Sequence, residues 1–388
     1  MRSILVTDSQ QRKTLAVVRS LGRRGVKILA AEETRWATSS FSRFCSQKLV
    51  NPNLNKKPED YLHWLYDTLA NYHCDVFFPM DDGSMEVAIK YRTQLETFCR
   101  LLIPETESYH KASDKVKSVQ VALEIGLDCP STVAPKSLDE IEGLSLGLSF
   151  PVIIKPRKSS GSRGMAVVKE KKELIATYIK VHQKYPFPLI QEYLGRGDKY
   201  DVCLLFDRKS ELKASFVQKE IRCFPLEKGP STVQESVWRP DLIEKAVCLM
   251  QKLSWQGIAE VEFMEDPNDG RAIFMEINPR FWGSLHTAIL AGVDFPWLYY
   301  RLAIDEEVKQ VIRYKVGVKC RWLLPGDILH FIFNKNRFSM IPSFFSTKNS
   351  GLNDDILSLE DPFPVLGFFL ACIRYSFDRV MWKNMFCR

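Results

Sequence analysis

Apolar positions recur along the chain in two rhythms. "RSILVTD" is a short apolar run ending in polar residues, and "QRKTLAVVRSLGRRG" carries apolar residues at helical spacing before stopping at Gly25. "VKILAAEE" follows as a second run. Strand, helix and strand in that order predict the start of a parallel sheet. "DYLHWLYDTLANYH" reads as a helix, "CDVFFPMDD" as a strand with acids at its carboxyl end, and "GSMEVAIKYRTQLE" as a returning helix. Residues 1–112 are therefore expected to form a doubly wound α/β domain. They lack G-x-G-x-x-G, so nothing there marks a dinucleotide site.

The rhythm then changes. "SDKVKSVQVALEIG" predicts a helix with Ser113 as N-cap and Gly126 as its stop. "LSFPVIIKPRKSSGSRGMAVVKEKKEL" reads as strand, Gly/Ser loop, strand and helix. "PLIQEYLGRGDKYDVCLLFDRKSELKASFVQKEIR" reads as three strands, and "PDLIEKAVCLMQKLSW" as an amphipathic helix with Pro240 in its first turn. "VEFMEDPNDGRAIFMEINPRFWGSL" is a hairpin turned by "DPNDG". This mixed pattern predicts an α+β unit over 113–304, with a smaller lobe at about 115–195. Beyond 305 the pattern blurs into an aromatic-rich extension to 388. No repeat or flexible linker interrupts the chain, which suggests closely packed domains.

Three stretches carry candidate chemistry. On the second strand of the hairpin, Glu276 and Asn278 share a face, and Arg280 follows if the strand persists past Pro279. Glu262 lies on the preceding strand, within reach across the turn. Two carboxylates and an amide oxygen make a hard-oxygen set suited to Mg²⁺, and an arginine beside it would clamp a phosphoryl oxygen. The alternative is a solvent-facing polar strand edge. The apolar neighbours Ile273, Phe274, Met275 and Ile277 favour burial, and buried carboxylates want a cation.

In "PVIIKPRKSSGSRGMAVV", Lys155 ends a strand beside a loop with Ser159, Ser160, Gly161, Ser162 and Gly164. Such a loop lets backbone N–H groups approach phosphate oxygens. A plain hairpin turn is the competing reading, and the P-loop form is absent. In "LIQEYLGRGDKYDV", Glu192 sits in a short strand and Asp198 follows a Gly-flanked turn. They suit an adenine amino edge and a ribose, or simply an ordinary charged strand.

Taken in chain order, Lys155, the Gly/Ser loop, Glu192, Asp198, Glu262 and Glu276-x-Asn278, with "KGPSTVQESV", "GIAEVEFMED" and "FMEINPRFWGSL", resemble the order in ATP-grasp enzymes over roughly residues 1–302. The likeness is to carboxylate–amine ligase-like proteins related to the ATP domains of carbamoyl-phosphate synthase and biotin carboxylase. It implies an N-terminal α/β domain before two α+β lobes that hold ATP between them. By resemblance, Lys115 and Lys155 would touch ATP, and Ser159 to Gly164 would cover its phosphates. Gln191, Glu192, Tyr193 and Leu194 would form the adenine hinge, and Asp198 would approach the ribose. At Lys199 many relatives carry Glu instead. Glu262, Glu276 and Asn278 would hold Mg²⁺ or Mn²⁺, and Arg280 the moving phosphate. Arg222, or else Lys219, would face the reacting group. The implied activity is ATP-dependent ligation of a carboxylate to an amine through an acyl phosphate. A carboxyphosphate-using carboxylase and a non-catalytic nucleotide-binding regulator are the rivals. The intact acid and base set argues against the regulator.

Composition modifies this picture little. Of 388 residues, 45% are hydrophobic and 26% charged, as in globular proteins, and the net charge of +7 suits anionic ligands better than nucleic acid. Ten cysteines without a CxxC pair, and no signal-like N-terminus, suggest reduced thiols in a cytoplasm. Small-molecule substrates are expected, with no nucleic acid and no membrane span. "PVLGFFLACI" at 364–373 is read as a buried segment. A homodimer is left open. No histidine has a metal-spaced partner in sequence, Cys203 and Cys248 are expected to pack, and Asp81 and Asp82 to cap a helix or meet a ligand.

Overall fold

The computed structural model describes residues 2–144, 147–195, 197–226 and 229–376. At the N-terminus, β1 (Ser3–Val6), β2 (Lys27–Glu32), β3 (Gln47–Val50) and β4 (Val76–Phe78) form a parallel sheet in the order β3-β2-β1-β4. Alternate residues of these strands are buried on opposite faces. Ile4, Val6, Ile28 and Ala30 meet the helix Arg12–Gly22, whereas Leu5, Leu29 and Ala31 meet the helices Pro58–Tyr72 and Asp82–Lys90. A sheet covered on both faces explains the continuous apolar runs.

A second sheet comprises β5 (Thr132–Val133), β6 (Val152–Lys155), β7 (Ala166–Val168) and β8 (Leu189–Glu192), ordered β5-β8-β6-β7 and antiparallel. Val152, Ile154 and Ile190 pack on Leu174 and Tyr178 of the helix Leu174–His182. Ile153 and Lys155 consequently point the other way, into a cleft.

The third sheet has seven strands: β9 (Lys199–Phe206), β10 (Leu212–Cys223), β11 (Ser231–Ser236), β12 (Gly257–Glu265), β13 (Ala272–Asn278), β14 (Lys319–Arg321) and β15 (Leu352–Asp354). Their order is β13-β12-β9-β10-β11-β14-β15. One face packs on the helices Lys115–Glu124 and Pro240–Lys252. The other buries Cys203, Leu205, Phe216 and Ile258 in the same core as the first sheet. Continuous burial replaces the linker that the sequence lacks.

Three local expectations change. Ser113 ends the helix Thr106–Ser113, and the cap of the next helix is Asp114, whose side chain accepts from the N–H groups of Val116 and Lys117. Aspartate at that position satisfies donors a buried helix start would otherwise leave unpaired. The aromatic-rich extension is not an appendage, because β14 and β15 complete the large sheet. Residues 364–373 lie in a helix, Pro364–Ser376, that is buried at Phe368 and Ala371 and exposed at Leu366 and Phe369. Among the described residues no helix is long and apolar enough to cross a membrane.

Candidate functional site

The cleft between the second and third sheets collects most of the chemistry. Antiparallel pairing sets Asp201 of β9 opposite Glu262 of β12, and Glu262 opposite Glu276 of β13. One step along, Glu260 faces Asn278. All five side chains line the cleft. The Asn278 amide donates to Glu262 Oε1 at 2.6 Å and Glu260 Oε2 at 3.1 Å, while its Oδ1 accepts from Arg280 at 3.1 Å. Burial raises Glu262 well above the usual carboxylate range, reinforced by Glu276 and Asp201. Burial likewise raises Glu260, with Asp201 and Glu262 adding to it. Burial also pushes Glu276 upward, but Lys115 and Lys155 outweigh it and hold that carboxyl below its ordinary value. Burial raises Asp201 as well, so three of these four crowded acids carry elevated pKa values, and a divalent cation would relieve them. Asp201 and Glu260 escaped the sequence reading, although each shares strand parity with a flagged or cleft residue.

Bases surround these acids. Lys115 Nζ lies 3.0 Å from Glu276 and donates to the Ser159 carbonyl at 2.8 Å. Lys155 Nζ donates to Gln191 Oε1 at 2.7 Å, and Gln191 in turn donates to Thr132. Burial pulls Lys155 down to about 8. Gln191 thus positions Lys155 from behind and does not line the cleft. Arg280 donates to Asp82 at 2.7 Å and lies 3.7 Å from Asp81. Burial would lower Arg280, but Asp82 and Asp81 outweigh it and keep it firmly charged. The first sheet therefore reaches into the site. Asp81 also serves as N-cap of the helix Asp82–Lys90, as the capping reading expects.

The loop after β6 contributes Ser159, Gly161, Ser162 and Met165 to the cleft. The Ser159 hydroxyl is buried with no hydrogen-bond partner. Ser160 is placed close enough to Asp82 to lower that carboxyl, after burial and Arg280 have acted on it. Gly164 has φ +75°, and a Cβ there would strike the Tyr185 ring, so glycine is required. At the other lip, Glu192, Tyr193, Leu194 and Gly195 line the cleft, with Glu192 bonded to the Ser131 backbone.

Of the expected residues, Lys115, Ser160, Gly164 and Gln191 support the cleft without lining it, and three others lie outside it. Asp198 and Lys219 form an ion pair at 2.5 Å and line no part of the cleft. Arg222 turns away to bond Asp327 at 2.9 Å and the Pro342 carbonyl at 2.6 Å. A bulge in β10 between Glu220 and Arg222 separates the two, so Glu220 faces the cleft instead. Lys199 and Arg12 also line the cleft, and neither was picked out for it. His286, unpaired in sequence, comes together with Cys320 and Asp355 in the fold.

A family model described as "ATP-grasp in the biosynthetic pathway with Ter operon" matches residues 214–324, the stretch that carries Glu260, Glu262, Glu276, Asn278 and Arg280. Over that stretch, and in its relatives, the chain is similar to ATP-grasp proteins. Among its relatives, D-alanine–D-alanine ligase of Pseudomonas entomophila is 26% identical over 250 residues, covering 58% of this chain and 72% of that protein. Pyruvate carboxylase of Bacillus subtilis is 28% identical over 294 residues, which is 70% of this chain and 24% of the carboxylase. The chain thus spans about a quarter of that carboxylase's length. The fold is shared with solved structures. The biotin carboxylase domain of Hydrogenobacter thermophilus 2-oxoglutarate carboxylase, solved with MgADP, ADP and bicarbonate, superposes with a TM-score of 0.69 at 16% identity. That match covers 81% of this chain and 73% of the other.

Proposed function

We propose that this protein is an ATP-grasp enzyme, an ATP-dependent ligase that joins a small-molecule carboxylate to an amine through an acyl phosphate and releases ADP and phosphate. The observation that carries the reading is the cleft itself: Glu262, Glu276 and Asn278 face Lys155 and Arg280 beneath the Ser159–Gly164 loop. The buried, unpartnered Ser159 hydroxyl and the tight Gly164 turn fit a phosphate chain. Glu192 to Gly195 fit the purine end. The oxygen donors fit Mg²⁺, which would neutralise charge on the phosphates when bound, held by Glu262, Glu276 and Asn278 once the Asn278 amide turns its oxygen inward.

Arg280 steadies the transferring phosphoryl group, and Lys155 and Lys115 hold the oxygens that leave with ADP. The substrate carboxylate attacks the γ-phosphorus, and the phosphate it gains makes its carbonyl carbon open to the amine. The amine then expels phosphate and loses a proton to solvent or a cleft carboxylate.

The test uses ¹⁸O in the substrate carboxylate, or hydroxylamine in place of the amine. Label must reach the released phosphate, and hydroxamate must form. Label in AMP instead defeats the acyl-phosphate path. Phosphate release that needs bicarbonate and no amine would favour the carboxyphosphate reading, in line with the carboxylases among the relatives.

A further inference from the structure

Residues 328–353, "ILHFIFNKNRFSMIPSFFSTKNSGLN", contain no acid. They carry Lys335, Arg337 and Lys348, and none of these has a carboxylate partner among the described residues. Every acid of the described chain from 327 onward already has a basic partner, three of them buried, Asp354 mostly buried and Glu360 at the surface. Asp327 pairs with Arg222, Asp354 with Arg321, Asp355 with Arg12, Glu360 with Arg23 and Asp361 with Arg19. The surface charge that remains on this stretch is positive.

Its apolar side chains are just as unbalanced. Phe338 is 80% exposed, Ile341 87% and Phe345 69%. They do not hang from a slack chain. Phe331 stacks on Phe344 at 4.3 Å and meets Phe338 and Phe345 edge-on at 5.6 and 5.9 Å. The buried Arg222 and the mostly buried Arg321 grip the carbonyls of Pro342 and Phe344 from the large sheet. The fold therefore builds a rigid tip and leaves bulky hydrophobes in water, which globular surfaces avoid unless something covers them.

We propose that this tip is a docking element for an anionic lipid surface. Phe338, Ile341 and Phe345 enter the boundary between headgroups and acyl chains, while Lys335, Arg337 and Lys348 meet the lipid charge. Exposed aromatic and aliphatic residues with bases and no acids are what an anionic interface selects. A second copy is the poorer occupant, because a symmetric contact would set three bases against three bases. The proposal is independent of the ligase reading.

The test is co-sedimentation of the full chain with vesicles of neutral phosphatidylcholine, or of the same lipid with phosphatidylserine. Binding should favour the anionic vesicles and fall at high salt. Lys335→Gln should weaken it about five-fold, the effect of one base at the surface. Phe338→Ser with Ile341→Ser should abolish it while leaving melting temperature and nucleotide binding unchanged. Equal binding to both vesicle types, or anionic binding that the Ser variant retains, overturns the proposal. So does a vesicle-independent dimer that the Ser variant dissolves, or capture of an acidic protein without lipid binding.

Discussion

Replacing Lys155 by methionine separates the cost of a buried ammonium from its use. Burial lowers this lysine from 10.5 to about 8, a difference that corresponds to roughly 3 kcal/mol against the charged form in the folded state. The sign follows from proton counting. Between pH 8 and 10.5 the unfolded chain holds the Lys155 proton and the folded chain does not, so stability contributed by this group rises with pH across that window. Below pH 8 the full cost is present. Lys155→Met removes that slope, and it strands Gln191 Oε1, which costs about 1–3 kcal/mol. At neutral pH the variant should therefore unfold with a free energy within about 2 kcal/mol of the parent. Nucleotide binding should behave otherwise. Loss of one charge-assisted contact to phosphate weakens ATP by roughly ten- to a hundred-fold. In the parent, affinity should fall as pH passes about 8, when the ammonium loses its charge, and in the variant it should not. Denaturant titrations from pH 7 to 10.5 and calorimetric ATP titrations from pH 7 to 9 read both effects. Parallel pH profiles for parent and variant, or unchanged ATP affinity, would refute the reasoning.

Glu276→Gln removes the partner of Lys115 and one proposed metal ligand; Mg²⁺-dependent phosphate release should disappear, as should Mg²⁺-induced thermal stabilisation, and turnover at the parental rate would remove Glu276 from the metal set. Gly164→Ala forces a side chain against Tyr185 at a positive φ, so ATP should bind roughly ten-fold or more weakly, while the melting temperature barely moves because the loop adds little to the core. Arg222→Met leaves Asp327 buried without its cation and should cost about 3–5 kcal/mol of stability by thermal denaturation, with the KM for ATP in the folded enzyme unchanged. A catalytic loss without destabilisation would return Arg222 to the site.

Strand parity made much of the site legible. Glu276 and Asn278 share a face because residues two apart do, and the "DPNDG" turn brings Glu262 opposite Glu276. The same parity, applied to "DKYDV" and "GIAEVE", would have added Lys199, Asp201 and Glu260. Arg222 was illegible because the bulge in β10 breaks the alternation and because its partner, Asp327, lies 105 residues further on. Asp198 failed for a nearer reason: Lys219, on the adjacent strand, takes its carboxylate. The N-terminal sheet was read from its apolar runs, but not that Asp82 would anchor Arg280, since no local pattern encodes a contact across 198 residues. The blurred extension hid the last two strands of the large sheet, three residues each and too short to show a period.

The pairing of Arg12 with Asp355 and of Arg19 with Asp361 bears on how the chain is made. The partners are separated by 343 and 342 residues. At ordinary elongation rates, roughly 17 to 70 seconds pass on the ribosome between one end of each pair and the other. Throughout that interval the helix Arg12–Gly22 holds two guanidinium groups destined for burial, and Leu15 beside them awaits Leu324, Ile356 and Phe368. The helix is synthesised early, yet this face of it is covered last. Nascent chains stalled before Asp355 should expose this helix to proteases and to hydrophobe-binding chaperones, and a short delay in translation near the extension would lengthen that exposure directly.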